Sequence, residues 1–156
     1  MKTLVTLAAA LVMAAPTIPL SGDGTVVIPA ADIKTQLADL AIQAKPTGSA
    51  GPVVASYGNL LVMLSVRTAN GVGELHEHYD DLMVVQQGTA TLVTGGSLVD
   101  PKTTGPGEIR GKSVQGGKSR TISVGDVVVI PANVPHQILL QPGMIYSAII
   151  GKIKEP

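Results

Sequence analysis

Cysteine, phenylalanine and tryptophan are all absent from the 156 residues. Without cysteine there is no disulfide, no thiolate zinc or iron–sulfur site, no cysteine nucleophile and no lipid-modified N-terminal cysteine. The aromatics are three tyrosines, Tyr57, Tyr79 and Tyr146, so the platforms on which nucleobases stack are missing. Charge is scarce as well: Lys plus Arg total 11, Asp plus Glu total 11, and the formal net charge is zero. That balance lacks the basic surplus of a nucleic-acid binder, and no nucleic-acid partner is expected. With 45% hydrophobic and 14% charged residues the chain is too apolar to be disordered. The length suits one domain.

What is present first is a short apolar run. Met1 and Lys2 precede about a dozen apolar and small residues ending near Ala15. One positive charge followed by such a run matches a secretory signal peptide, and the run is too short to span a bilayer. Cleavage after Ala14 keeps Pro16 off the scissile bond. The chain is therefore expected to be exported, periplasmic or secreted, with no membrane span in the mature protein. The organisation expected is a signal peptide over 1–14, a leader and helix over 15–50, and a β-barrel domain over 51–156.

In the leader, Ile33, Leu37, Leu40 and Ala41 share a stripe at helical spacing, with Pro46 beyond it, which predicts a helix over Ala31 to Ala44. Thereafter the apolar runs are short and rich in β-branched residues: Leu60–Arg67, Leu82–Gln86, Thr89–Val93, Thr121–Val124, Val127–Ile130, Gln137–Leu140 and Met144–Ile150. Turn residues separate them, which predicts an antiparallel sandwich or barrel with an aliphatic core. Eight of the 18 glycines fall between Gly88 and Gly117, and this stretch reads as a long hairpin or loop inserted between strand groups, its Gly-rich part spanning 95–117. Gln86 and Gln137 read as outward-facing strand residues.

The chemistry gathers at the three histidines. His76 and His78 are one residue apart, so on a strand both imidazoles would share a face. Asp81 follows at the start of the next apolar run, and His136 lies after the turn Pro131-Ala132-Asn133. A barrel folding these segments together would make a shell of three nitrogens and one oxygen. That set suits a divalent transition metal, Fe, Mn, Ni, Co or Zn, with open positions for a small-molecule ligand.

The two segments resemble the motifs of the cupin superfamily. Its first motif is Gly, five residues, His-x-His, three or four residues, Glu, six residues, Gly. Here His76-Glu77-His78 supplies the pair, and Asp81, six residues and Gly88 reproduce the far end. Its second motif is Gly, five residues, Pro-x-Gly, two residues, His, three residues, Asn, against Gly125, five residues, Pro131-Ala132-Asn133, two residues and His136. Only two residues separate His78 from Asp81, and Asp replaces Glu, which leaves Asp80 or a water as alternatives for the fourth ligand. Asn133 stands for the second-motif Gly, Leu140 for its Asn, and Gly71 lies four residues before His76 instead of five.

The resemblance implies an all-β, cupin-like jelly-roll barrel with a short N-terminal helix, a metal held by His76, His78, Asp81 and His136, and a homodimer. It further implies a metal-dependent enzyme of dioxygenase, decarboxylase, isomerase or lyase type acting on a small oxygenated molecule. The alternative is a non-catalytic exported module that binds a metal or small ligand. Candidate catalytic side chains are Glu74, whose parity matches the histidines, Arg67, a cation suited to a substrate carboxylate, and Tyr79 at the pocket rim.

Overall fold

The computed structural model describes residues 24–156. The expected signal segment, 1–14, and the first part of the leader lie outside the described residues. Helix α1 spans Ala30–Ala44 and starts directly after Pro29, whose carbonyl accepts from the Asp32 and Ile33 amides. Its stripe buries Leu37, Leu40 and Ala44 against Val54, Leu64 and Val66.

The strands are β1 (Ser49–Ala50), β2 (Val53–Tyr57), β3 (Leu60–Arg67), β4 (Gly73–His76), β5 (Tyr79–Gln87), β6 (Thr89–Thr94) and β7 (Ser97–Val99). They continue as β8 (Lys102–Gly105), β9 (Glu108–Gly111), β10 (Ser113–Gln115), β11 (Lys118–Ser123), β12 (Val127–Ile130), β13 (His136–Leu139) and β14 (Tyr146–Lys154). One sheet runs β1-β3-β14-β5-β12, with β2 also on β3; the other runs β11-β6-β13-β4-β9-β8. All pairings are antiparallel. This is the all-β jelly roll with a short N-terminal helix that the motifs imply.

Alternation along each strand separates two cores. Met83, Val85, Ala90, Leu92, Ile122, Ile130, Ile138, Tyr146 and Ala148 pack between the sheets, while the opposite face of β3 lies under α1. With no Phe or Trp the interior is aliphatic apart from Tyr146, as expected. Burying each Leu or Ile here contributes about 1.5–3 kcal/mol relative to exposure. Val127 and Val129 on β12, at the end of its sheet, stay exposed.

The Gly-rich stretch, expected as a long hairpin or loop, folds as a hairpin: β7 pairs with β10 in a separate two-stranded ribbon, β8 pairs with β9, and β9 joins β4 in the second sheet. Short strands with polar residues and frequent glycine carry too little apolar alternation to be read as strands. Two other expectations need correction. Strand β5 starts at Tyr79, three residues before its apolar run, because Tyr79, Asp80 and Asp81 pair with Lys154, Ile153 and Lys152. Gln137 is buried instead of solvated; its side chain accepts from the Val114 amide and donates to the Gly71 carbonyl, tying β13 to the β7–β10 ribbon. No helix among the described residues is long and apolar enough to cross a membrane.

Candidate metal centre

The centre forms where β4, β5, β13 and β14 meet. Glu74 and His76, two apart on β4, face the same side. His136, the first residue of β13, pairs with Glu74, and Asp81 on β5 pairs with Lys152 on β14. His76, Asp81 and His136 are only 4–5% exposed, so the barrel withdraws their polar atoms from water. The imidazole rings lie 5.2 Å apart.

Glu74, His76 and His136 bring one polar atom each into a shared space, Asp81 reaches the two imidazoles, and each of the four anchors its other polar atom elsewhere. His76 Nδ1 donates to Glu108 Oε2 at 2.8 Å, and His136 Nδ1 donates to the Val134 carbonyl at 3.0 Å. Both acceptors lack a proton to give, so both rings carry hydrogen on Nδ1, which in the neutral ring leaves Nε2 available as a ligand. His76 Nε2 lies 3.4 Å from Asp81 Oδ2 and 3.8 Å from Glu74 Oε2, and His136 Nε2 lies 3.7 Å from Asp81 Oδ2. The outer oxygens are held by cations: Lys152 donates to Asp81 Oδ1 at 2.9 Å and Arg67 to Glu74 Oε1 at 2.6 Å. Donor atoms of Glu74, His76 and His136 all lie within 4.8 Å of one another. Inward nitrogen lone pairs, inward carboxylate oxygens and outer partners that fix each ligand's orientation are what a divalent transition ion requires, so these residues fit one.

The electrostatics agree. Burial works to raise the Asp81 pKa, but the His76 hydrogen bond and Lys152 outweigh it and hold the carboxyl at about 2. Burial likewise opposes ionisation of Glu74, and Arg67, Arg110 and the two imidazoles overcome it, leaving the pKa below the ordinary value. For His136 burial dominates and lowers the pKa, favouring the neutral ring that a metal needs. Around and below their ordinary pKa values, Asp81 and His136 therefore hold fewer protons folded than unfolded, so folding stability falls as pH falls. The metal-free protein is expected to lose stability to urea from pH 6.5 downward through His136. A further step of about 2 kcal/mol from Asp81 comes as pH drops from about 4 to about 2. Asp81→Asn should erase that lower step; an unchanged pH profile would refute the assignment.

The structure thus brings His76, Asp81 and His136 together and sets His78 apart. Strand β4 ends at His76; Glu77 and His78 form a bend, and His78 is exposed against Gly107. Glu74, expected as a candidate catalytic side chain, takes an inward place beside His76 and His136. Counting from it, Glu74-x-His76, four residues, Asp81, six residues, Gly88 satisfies the family spacing that His76-x-His78 leaves one residue short. That spacing was the available signal. Asp80 turns away, accepting from the Ala132 amide. Arg67 lies inside the barrel paired to Glu74, and Tyr79 lies beside Lys152, whose Nζ is 5.8 Å from the ring centre. Glu108, Arg110 and Lys152 escaped the sequence reading because nothing near them in the chain marks them; β9 and β14 deliver them.

Arg67, Glu74, His76, Asp81, Arg110 and Lys152 line a cavity of about 250 Å³. Two larger hollows, of about 440 and 580 Å³, have no histidine in their walls, and the second shares Arg110 with this cavity.

No family model matches the sequence, and no curated protein matches it. Solved structures do resemble the fold. The polyketide cyclase RemF from Streptomyces resistomycificus superposes with a TM-score of 0.51 at 15% identity, over 70% of this chain and 67% of that one. The protein TT1209 from Thermus thermophilus gives 0.52 at 14% identity, over 71% and 88%. An oxalate oxidase gives 0.50 at 14% identity, over 70% of this chain and about half, 52%, of the oxidase. Jelly-roll architecture and these likenesses define a cupin-like fold carrying a cluster of histidine and carboxylate side chains suited to a metal ion.

Proposed function

We propose that this protein is an exported metal-dependent cupin enzyme acting on a small oxygenated organic molecule. The observation that carries the reading is the convergence of His76 Nε2, His136 Nε2, Asp81 Oδ2 and Glu74 Oε2, each with its other polar atom anchored. Glu74, His76, Asp81 and His136 would hold the ion. A bound divalent ion supplies Lewis acidity toward a substrate oxygen. The chain's own residues do the remaining work. Glu108 and the Val134 carbonyl fix the imidazole tautomers, and Arg67 and Lys152 keep both carboxylates ionised and oriented. The adjoining cavity, of about 250 Å³, has room for a small molecule. Dioxygenase, decarboxylase, isomerase and lyase chemistries all share this requirement.

Incubating the purified protein with a panel of small hydroxy acids and phenols in air tests the reading. Turnover should accompany near-stoichiometric metal, vanish on chelation and return on adding Fe, Mn, Ni, Co or Zn. Turnover that survives complete metal removal would overturn it. One observation favours the non-catalytic alternative: every carboxylate of the centre is already ion-paired, leaving no uncommitted base. Metal-dependent ligand binding without turnover is the outcome that reading expects. The homodimer is likewise a proposal, for which sedimentation should give the mass of two chains.

A further inference from the structure

We infer that the hollow of about 580 Å³ beside β8 and β9 is a second binding site, one that takes an organic molecule by an oxyanion end, phosphate or carboxylate, against Lys102, Arg110 and Lys112. The site lies outside the metal centre and needs no ion. Residues directly opposite each other on paired strands point to one face. Lys102 on β8 pairs with Arg110 on β9, Arg110 with Glu74 on β4, and Glu74 with His136 on β13. One row of side chains therefore runs from the histidine–carboxylate cluster to the edge of the sheet, which β8 forms. Two strand spacings put the Lys102 backbone about 10 Å from that of Glu74. Arg110 lines both the hollow and the inner cavity.

Two cations directly opposite each other repel and weaken a strand pair. An edge lysine guards a sheet against further pairing, yet that role asks for no arginine facing it. The inner end of the row accounts for Arg110, whose Nη2 lies 2.9 Å from Glu108 Oε2 and 3.6 Å from Glu74 Oε2. Lys102 has no ion pair among the described residues, so its charge is left for a ligand. Lys112 pairs with Asp100 at 2.5 Å, but both side chains are more than half exposed. Such a pair adds little stability, so an entering oxyanion draws Lys112 from Asp100 at small cost. Val72, 48% exposed, and Pro101 supply an apolar wall for the carbon skeleton behind the anionic end. Because these cations stand in water, binding is modest and weakens as salt rises.

Titrating the isotope-labelled, metal-free protein with methyl phosphate, propionate and neutral glycerol, read by nuclear magnetic resonance, tests the site. At least one of the two anions should shift the backbone amides of Lys102, Arg110 and Lys112 along a common saturating curve, and glycerol should shift none of them. Which anion saturates identifies the group the hollow takes. Lys102→Gln should weaken that binding at least fivefold, whereas Lys102→Arg, which keeps the charge, should hold it within about twofold. Lys118→Gln, on β11 at the opposite end of the second sheet, should leave it unchanged. A lysine that only guards the edge would give equal affinities in all four proteins, and that result would overturn the proposal. Shifts that never saturate, that spread over the surface lysines alike, or that fall on Glu74, His76 and His136 instead would also overturn it. Metal analysis of the same protein keeps the two readings apart. Saturable binding here without bound divalent metal leaves this site standing and refutes the metal centre; stoichiometric metal without saturable binding here does the reverse.

Discussion

His136→Ala should reduce bound divalent metal from near one equivalent to under a tenth, whereas His78→Ala should leave metal content unchanged. The first removes a buried nitrogen that faces Asp81 Oδ2; the second alters an exposed bend residue. Loss of a ligand should cost roughly a hundredfold or more in affinity, at or above the 10–100-fold typical of residues that merely support ligands. Glu108→Gln belongs to that milder class, because it keeps an acceptor near His76 Nδ1 but removes its charge. Metal analysis of the purified variants, with unfolding curves to confirm folding, decides the matter. Equal losses in His136→Ala and His78→Ala would restore the pairing read from the His-x-His spacing and refute the centre described above.

Gly88→Ala should destabilise the fold by about 3 kcal/mol or more, lowering the melting temperature by roughly 10 °C. Gly88 joins β5 to β6 at φ 75°, and a Cβ there would press into the Ile145 carbonyl oxygen. The left-handed conformation alone costs a side chain about 1–2 kcal/mol, and the overlap adds a shift of the segment entering β14. Gly125, the glycine that opens the second motif, is the control. It has φ 90° but nothing within 4 Å of an added Cβ, so Gly125→Ala should show only the conformational cost. Thermal unfolding of the two variants side by side checks the difference; equal destabilisation would mean the packing at Gly88 has been misread.

The strands legible in the sequence were those with dense aliphatic content, such as Leu60–Arg67 and Val127–Ile130, where alternation against a core leaves a pattern. Strands β7 to β10 left none, because they pair with one another and with β4 through backbone bonds that any polar residue can make. The same contrast holds at the site. His136 was legible because its turn has fixed spacing. His78 was misplaced because the period-two argument assumes that the strand continues past His76, and the chain bends there instead.

Residue types and their intervals alone determined an aliphatic β-barrel with a histidine-based centre, since periodicity and turn chemistry are local properties. Which atoms face that centre, and which cations hold them, was decided by tertiary structure. Pairing β4 with β9 and β5 with β14 puts Glu108 beside His76 and Lys152 beside Asp81 across 32 and 71 residues of chain. Interactions that depend on strand register between distant segments leave no trace in the spacing of neighbours.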